Sequence, residues 1–319
     1  MPVIESRYLC PWYLRNGHIH SISAALFRKV GDLSFSRERI KTPDDDFLDI
    51  DWVRNPSRRI VLLIHGLEAS SNSSYIRGMT KALSEKRFSV AAMNLRGCSG
   101  EMNQQLRAYH SGATDDVDTV VNHILKSNAC DELMLIGFSL GGNLVLKYLG
   151  EKGTTLPHQI KKAVTVSVPC SLAACADKLD QRVSFIYRNR FLKTLKQKAA
   201  SRIHSHQFKQ TEEKILSAKT LREYDDYFTA PLFGFKDASD YYRQCSSAQF
   251  IKHISVPTLI LTSQDDPFFT ADCLPFDECR DHPNVFLEAP EHGGHVGFIG
   301  DVPWGKYYSE ERALEWLIQ

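Results

Sequence analysis

The chain has 319 residues, of which 43% are hydrophobic and 24% charged, and its formal net charge is +1. That balance is ordinary for a globular protein and supplies no global attraction to nucleic acid and no basic tail. No run approaches the roughly 18 consecutive apolar residues of a membrane span, and "MPVIESRYLCPWYLRNGHIH" at the N-terminus has no signal-peptide pattern.

In chain order, His20–Arg28, Phe47–Val53 and Ile60–His65 read as strands bounded by turn-rich segments. "RRIVLLIHG" is a β-branched run without alternation, as in a strand buried on both faces of a parallel sheet. A helical stretch over Tyr75–Lys86 follows, then a strand in "FSVAAMNLRG", a helix over Ala113–Lys126 and a strand in "ELMLIGF". A helix starting after Ser139 and a strand in "IKKAVTVSV" complete the series. Strand and helix alternating at this spacing predict an α/β fold with a mostly parallel, doubly wound sheet.

From Ser171 to Lys252 the rhythm breaks into a mostly polar, helical segment without a strand-like run. It resumes with "VPTLILTSQDD", a short helix, "VFLEAPEHGGH" and a terminal helix over Glu310–Ile318. The expected organisation is a core of residues 1–170 and 253–319, with a helical cap at 171–252 inserted after the sixth predicted strand. Eight cysteines are scattered without a C-x-x-C pair, as reduced thiols would be in a chain long enough to fold without staples. A cytoplasmic location is expected on that ground.

The chemistry-bearing stretch is "LIGFSLGGNLVLKYLG". A G-x-S-x-G pattern arises by chance in about one chain in ten of this length, so the pattern alone decides little. Here it closes a buried strand and opens a helix, the setting in which a serine is held up on a strained turn between residues without side chains. Ser139 is therefore the candidate nucleophile. A serine hydroxyl needs a base to take its proton and a third group to orient that base. In the chain order Ser, acid, His, both places are filled: Asp265-Asp266 end one late strand, and His292 and His295 end the last. Asp266, with Thr270, fits the register of the acid, whereas Asp265 would cap the turn. His295 follows two glycines that let the loop bend toward the serine, so it is preferred over His292. A metal held by His292 and His295 lacks further ligands, and none is expected. Oxyanion donors are expected from the backbone N–H groups of Leu67, in the turn after "LLIHG", and Leu140, after the nucleophile. His65 reads as a structural hydrogen-bonding residue, and Arg96 as an ion-pair partner of the Asp115-Asp116 region.

"HGLEASSNSSYIRGM", "NLRGCSGEMN", "YHSGATDD", "GFSLGGN", "DYYRQCSS", "DDPF" and "EHGGHVGFIG" together resemble the YheT-type α/β hydrolases, or AB hydrolase family four. The eukaryotic α/β-hydrolase-domain proteins one, two and three belong to the same group, and the resemblance runs from about residue 12 to the C-terminus. It implies an α/β-hydrolase fold and carboxylic-ester hydrolysis through Ser139, Asp266 and His295, without cofactor or metal. The substrate implied is a small acyl ester or acylglycerol of short to medium chain, and nucleic acid is not a partner. Phospholipase or thioesterase action with the same triad, and acyl transfer suggested by the His-x4-Asp spacing of His110 and Asp115, stand as alternatives, with a non-catalytic binding protein behind them. The basic, amphipathic stretch 183–200 is expected to roof the site, with peripheral lipid contact as its other reading. Oligomeric state is not assigned.

Overall fold

In the computed structural model, which describes residues 2–127, 129–206 and 212–319, nine strands hydrogen-bond into one sheet. They are β1 (Val3–Ile4), β2 (Ser36–Lys41), β3 (Phe47–Val53), β4 (Arg59–Ile64), β5 (Ser89–Asn94), β6 (Glu132–Phe138), β7 (Ile160–Val166), β8 (Thr258–Leu261) and β9 (Val285–Glu288). Their order across the sheet is β1-β9-β8-β7-β6-β4-β5-β3-β2. The β2–β3 and β3–β5 pairs are antiparallel and the remaining pairs parallel.

The unalternating run in β4 has a simple cause. Ile60, Leu62 and Ile64 point into one hydrophobic layer and Val61 and Leu63 into the other, so every position is covered. On the first face lie α3 (Thr114–Ser127) and α4 (Leu140–Lys152), which contribute Val117, Val120, Leu144 and Leu149. On the second lie α2 (Ser74–Glu85) and the C-terminal helix Tyr308–Ile318, through Met79, Leu83, Ala313 and Leu317.

The N-terminal third departs from the sequence expectation. Residues 20–28 are not a strand: 20–27 belong to α1 (Gly17–Phe27) and Arg28 ends it, and the helix is capped by Asn16, whose side chain accepts from the N–H groups of His18 and Ile19. The alternation in "SISA" (Ser21–Ala24) imitates a strand for four residues, but the cap before it and "AALF" at its end favour helix. The strands β1 and β2 were not apparent in the sequence, being respectively two residues long and mostly exposed.

The helical insertion follows Ile160–Val166 as expected, a strand that ranks seventh rather than sixth because β1 and β2 are added and the expected strand at 20–28 is a helix. It comprises α5 (Leu172–Leu179), α6 (Phe185–His206), α7 (Glu212–Ser217), α8 (Leu221–Tyr224), a π turn (Asp225–Thr229), α9 (Ala230–Phe233), α10 (Ala238–Cys245) and α11 (Ala248–Ile251). Leu179, Leu192, Ile203, Tyr224 and Phe228 form its own buried cluster, into which Phe268 and Phe269 project from the loop after β8. The cap is thus packed directly on a loop of the sheet's C-terminal edge. The short α12 (Phe276–Cys279) lies between β8 and β9, and the C-terminal helix is α13.

Candidate active site

β6, near the middle of the sheet, ends at Phe138, and α4 begins at Leu140. Ser139 between them has φ 52° and ψ −121°, a conformation that costs a side-chain-bearing residue about 1–3 kcal/mol. The glycines two residues to either side have no room for side chains. A Cβ on Gly137 would stand 2.3 Å from the Gly141 carbonyl oxygen, and one on Gly141 2.3 Å from that of Ile64. The turn is held by Ser139 N–H donating to Val166 O at 2.9 Å and by Asn143 N–H donating to Ser139 O at 3.1 Å. Asn143 in turn donates through Nδ2 to Ser111 O and Cys245 O, and its Oδ1 accepts from Ser247 N–H. The elbow and the far end of the cap therefore share one buried amide.

The loops after β8 and β9 bring the other two candidates to Ser139. His295 Nε2 lies 3.0 Å from Ser139 Oγ, and His295 Nδ1 lies 2.7 Å from Asp266 Oδ2. A carboxylate only accepts, so Nδ1 carries the ring proton and Nε2 is left to accept from the hydroxyl. Asp266 is buried and its Oδ1 also accepts from Phe268 N–H at 2.9 Å. The imidazole is held from the sides as well: it stacks on Phe268 at 4.0 Å between centroids and meets the edge of Phe269 at 5.5 Å. Its backbone N–H donates to Ser21 Oγ on α1 at 2.7 Å, and Val296 N–H donates to Ser167 Oγ at 2.9 Å.

Asp265 and His292 pair with each other at 3.2 Å, and Asp265 Oδ1 accepts from Gly294 N–H at 2.9 Å. Asp265 thus braces the turn that carries His295, in line with the capping role read from the sequence.

Leu67 sits in the turn after β4, brought close to Ser139 by its neighbour: a Cβ on Gly66 would lie 3.1 Å from Ser139 Cβ. Among the described residues, none accepts from the backbone N–H of Leu67 or of Leu140. The next residue, Glu68, has φ 54°. Its N–H donates to Tyr109 Oη at 2.9 Å, and its carboxylate accepts from Tyr109 Oη at 2.7 Å and from Lys198 of α6 at 3.0 Å. His65, fully buried, donates from Nδ1 to Gly66 O and accepts at Nε2 from Leu95 N–H. Burial pulls its pKa down to about 4, so it is a neutral scaffold residue, as the sequence suggested.

Two cavities meet at Ser139. The first runs under the cap and has a mostly apolar wall that includes Leu140, Leu172, Leu179, Leu195 and Phe228. The second lies toward α1 and is bordered by His295, Ser21, Ala24, Ala25, Tyr187 and Arg190. Leu67, Glu68, Phe191 and Phe268 border both. Arg96, which reaches the first cavity, makes two 2.8 Å bonds to Asp116 and further bonds to Asp44 and Asp46. His110 is packed against Phe233 at 4.2 Å and accepts from Gly112 N–H, while Asp115 pairs with Arg107. His110 and Asp115 therefore do not form the hydrogen-bonded pair that their spacing allowed.

Sequence reasoning missed the supporting residues. Ser21 and Ser167 carry no local signal, since each acts through a loop more than a hundred residues away. Phe268, the last residue of "DDPF", carries no sequence signal of its role, although an aromatic two residues after the acid is well placed to back the base.

A family model for the alpha/beta hydrolase fold matches residues 59–302. YheT of Escherichia coli (strain K12) is 36% identical over 310 residues, covering 95% of this chain and 90% of YheT. Phospholipase ABHD3 of Homo sapiens is 30% identical over 312 residues, covering 94% and 76% respectively. A monoacylglycerol lipase of Saccharomyces cerevisiae (strain ATCC 204508 / S288c) is 30% identical over 277 residues, covering 84% and 60%. Among solved structures, the Pyrococcus furiosus esterase Pf2001 shares the fold at a TM-score of 0.60 and 17% identity, covering 91% of this chain and 97% of its own. The chain belongs to the α/β-hydrolase family, in the YheT-type group to which ABHD3 also belongs, and is a hydrolase of the esterase and lipase type.

Proposed function

We propose that the protein hydrolyses carboxylic esters through Ser139, His295 and Asp266, with Leu67 and Leu140 as oxyanion donors. The supporting observation is the unbroken chain Asp266 Oδ2, His295 Nδ1 and Nε2, Ser139 Oγ, at 2.7 and 3.0 Å, ending on a strained serine at the mouth of a helix. Ser139 Oγ attacks the ester carbonyl carbon as its proton passes to His295 Nε2. The carbonyl oxygen takes up negative charge between the N–H groups of Leu67 and Leu140, beside the α4 N-terminus. Collapse breaks the bond to the alcohol, which leaves with the proton from Nε2, and a water molecule then repeats the sequence to release the acid.

This proton path assigns the two cavities. The leaving oxygen must reach His295 Nε2, so the alcohol occupies the second cavity, the one His295 borders. The acyl chain is then directed into the first, whose wall is largely apolar. That division suits an acyl ester of short to medium chain or an acylglycerol, in keeping with the monoacylglycerol lipase among the relatives. Residues 1–170 and 253–319 act as the hydrolase core and 171–252 as the cap. All eight cysteines are free thiols, which supports a cytoplasmic location. Among the described residues no helix is long and apolar enough to cross a membrane.

The test is hydrolysis of p-nitrophenyl esters of graded chain length by the wild type and by Ser139→Ala. The substitution should lower kcat/KM by several orders of magnitude without changing the fold, and should abolish labelling by a fluorophosphonate. Wild-type turnover by folded Ser139→Ala overturns the assignment.

A further inference from the structure

The second cavity opens between two helices whose outer faces are unusual for this chain. On α1, Ser21, Ala24 and Ala25 line the cavity. Ile19, Ile22 and Leu26, one stripe at helical spacing beside them, are 52%, 38% and 67% exposed. On α6, Tyr187, Arg190 and Thr194 line the opposite wall. Ile186, beside them, is 57% exposed, and Val183 and Phe185 at the start of the cap arm are also exposed. The helices are joined at the rim by His18 and Tyr187, whose rings stack and whose Nδ1 and Oη lie 3.2 Å apart. Apolar side chains therefore stand on both sides of one opening.

Their concentration is not incidental. Of the fourteen exposed large hydrophobic side chains among the described residues, ten fall within residues 6–31 and 181–206. Those two segments contain eleven Lys and Arg and no Asp or Glu, whereas the whole chain is at +1. Arg7, Arg28 and Lys198 are ion-paired to Glu315, Glu310 and Glu68. Arg15, Lys29, Arg182, Arg190 and Lys193 are exposed on these segments.

We propose that this rim is a docking face for an anionic lipid surface. Exposed Ile, Val, Phe and Leu tips interleaved with cations suit the boundary between acyl chains and phosphate headgroups. A second copy of the chain would set like charge against like across the same rim. Docking there aims the second cavity at the lipid, so an amphiphilic ester enters toward Ser139 without crossing bulk water. Only this last consequence rests on the ester-hydrolase reading; the binding itself does not.

The experiment is flotation of full-length Ser139→Ala with vesicles of phosphatidylcholine containing one quarter phosphatidylglycerol, and with vesicles of phosphatidylcholine alone. The protein should float with the anionic vesicles and be released by about 0.5 M salt, where screening shortens to a few ångströms. Arg182→Gln with Lys193→Gln should weaken partitioning by about 25-fold. Ile22→Ser, Val183→Ser and Ile186→Ser together should weaken it by at least about tenfold. In the active protein, both sets of substitutions should leave turnover of a water-soluble short-chain ester unchanged. No flotation, or flotation insensitive to both sets, overturns the proposal. So does a dimer in sedimentation velocity that the apolar substitutions dissolve, since a second copy then covers the rim. Flotation as expected by a wild type that hydrolyses no ester would leave the docking face standing and remove the reading of Ser139.

Discussion

Asp265 and Asp266 are adjacent in sequence, both near a histidine, and the structure gives them opposite expected weights. Asp266 presents Oδ2 to His295 Nδ1 at 2.7 Å and Oδ1 to Phe268 N–H at 2.9 Å. In Asp266→Asn, an amide oxygen kept on Phe268 N–H turns the NH₂ group toward Nδ1. The imidazole proton then moves to Nε2, which donates to Ser139 rather than accepting from it. The reverse amide orientation buries NH₂ against the N–H of Phe268, two donors without an acceptor. That donor clash disfavours the orientation that would keep the base, so the first prevails, and the expected fall in kcat/KM is about ten-thousandfold, or about 5 kcal/mol of transition-state stabilisation. Asp265→Asn retains an oxygen for Gly294 N–H and loses only a partly exposed pairing with His292, so activity should stay within about threefold. His295→Ala should likewise be far worse than His292→Ala. The assay is kcat/KM on a soluble p-nitrophenyl ester, with thermal melts to establish that each variant is folded. A reversed ranking in either pair, among folded variants, refutes the reasoning.

Lys198→Met should lower kcat about tenfold with little change in KM, because it releases the Glu68 carboxylate beside the Leu67 amide, a donor expected to act mainly in the transition state. Lys198→Arg should recover most of the loss; equal changes in kcat and KM, or only a lower Tm, would place Lys198 in cap stability instead. His20 and His65 are buried, and burial lowers both to about 4 from an unfolded value near 6.5. The unfolded chain therefore binds more protons between those values, and stability present above pH 6.5 is lost progressively as pH falls toward 4. Each histidine should remove about 2 kcal/mol by pH 5, read from urea unfolding at pH 7 and pH 5; stability unchanged over that interval would show that neither is buried neutral.

The alternation of elements in the middle of the chain was legible because β4, β6 and β7 are covered on both faces, and such strands read as continuous apolar runs. The triad candidates were legible for a related reason. Each follows a parallel strand at its C-terminal end, where an open α/β sheet gathers its loops, so chain order narrows them to Ser139, the Asp265-Asp266 pair and the two histidines at 292 and 295. What was not legible acts across the fold. The His20–Arg28 segment looked like a strand because Ser21–Ala24 alternate, while the information that decided against it lay in the Asn16 cap. Ser21 was hidden by the same misreading: on a strand its hydroxyl had no reason to meet His295, whereas on α1 it stands under that loop. Glu68 and Lys198 are 130 residues apart, and no periodicity connects them.

The strain in this molecule is concentrated where the chemistry is proposed. Among the described residues, those other than glycine with positive φ are Asp45, Glu68, Arg87, Ser139, Ser167, Val296 and Phe298, and five of these seven lie in the loops that follow β4, β6, β7 and β9. At about 1–3 kcal/mol each, those five together rival the net stability of a whole domain. Such a cost is sustained only where the surroundings allow no relaxation, and the strands that launch these loops meet that condition. Leu62, Leu63, Leu135, Ile136 and Val164 are fully buried and paired in parallel register. The sheet thus fixes backbone geometry at Ser139 and the two oxyanion candidates, while Phe191, Leu195 and Phe228 of the cap shape the cavity wall. Among its described residues the cap bears none of these strained non-glycine turns and meets the elbow through Asn143, bonded to Cys245 and Ser247, so substitutions at Leu195 and Phe228 should act on ester choice more than on the elbow.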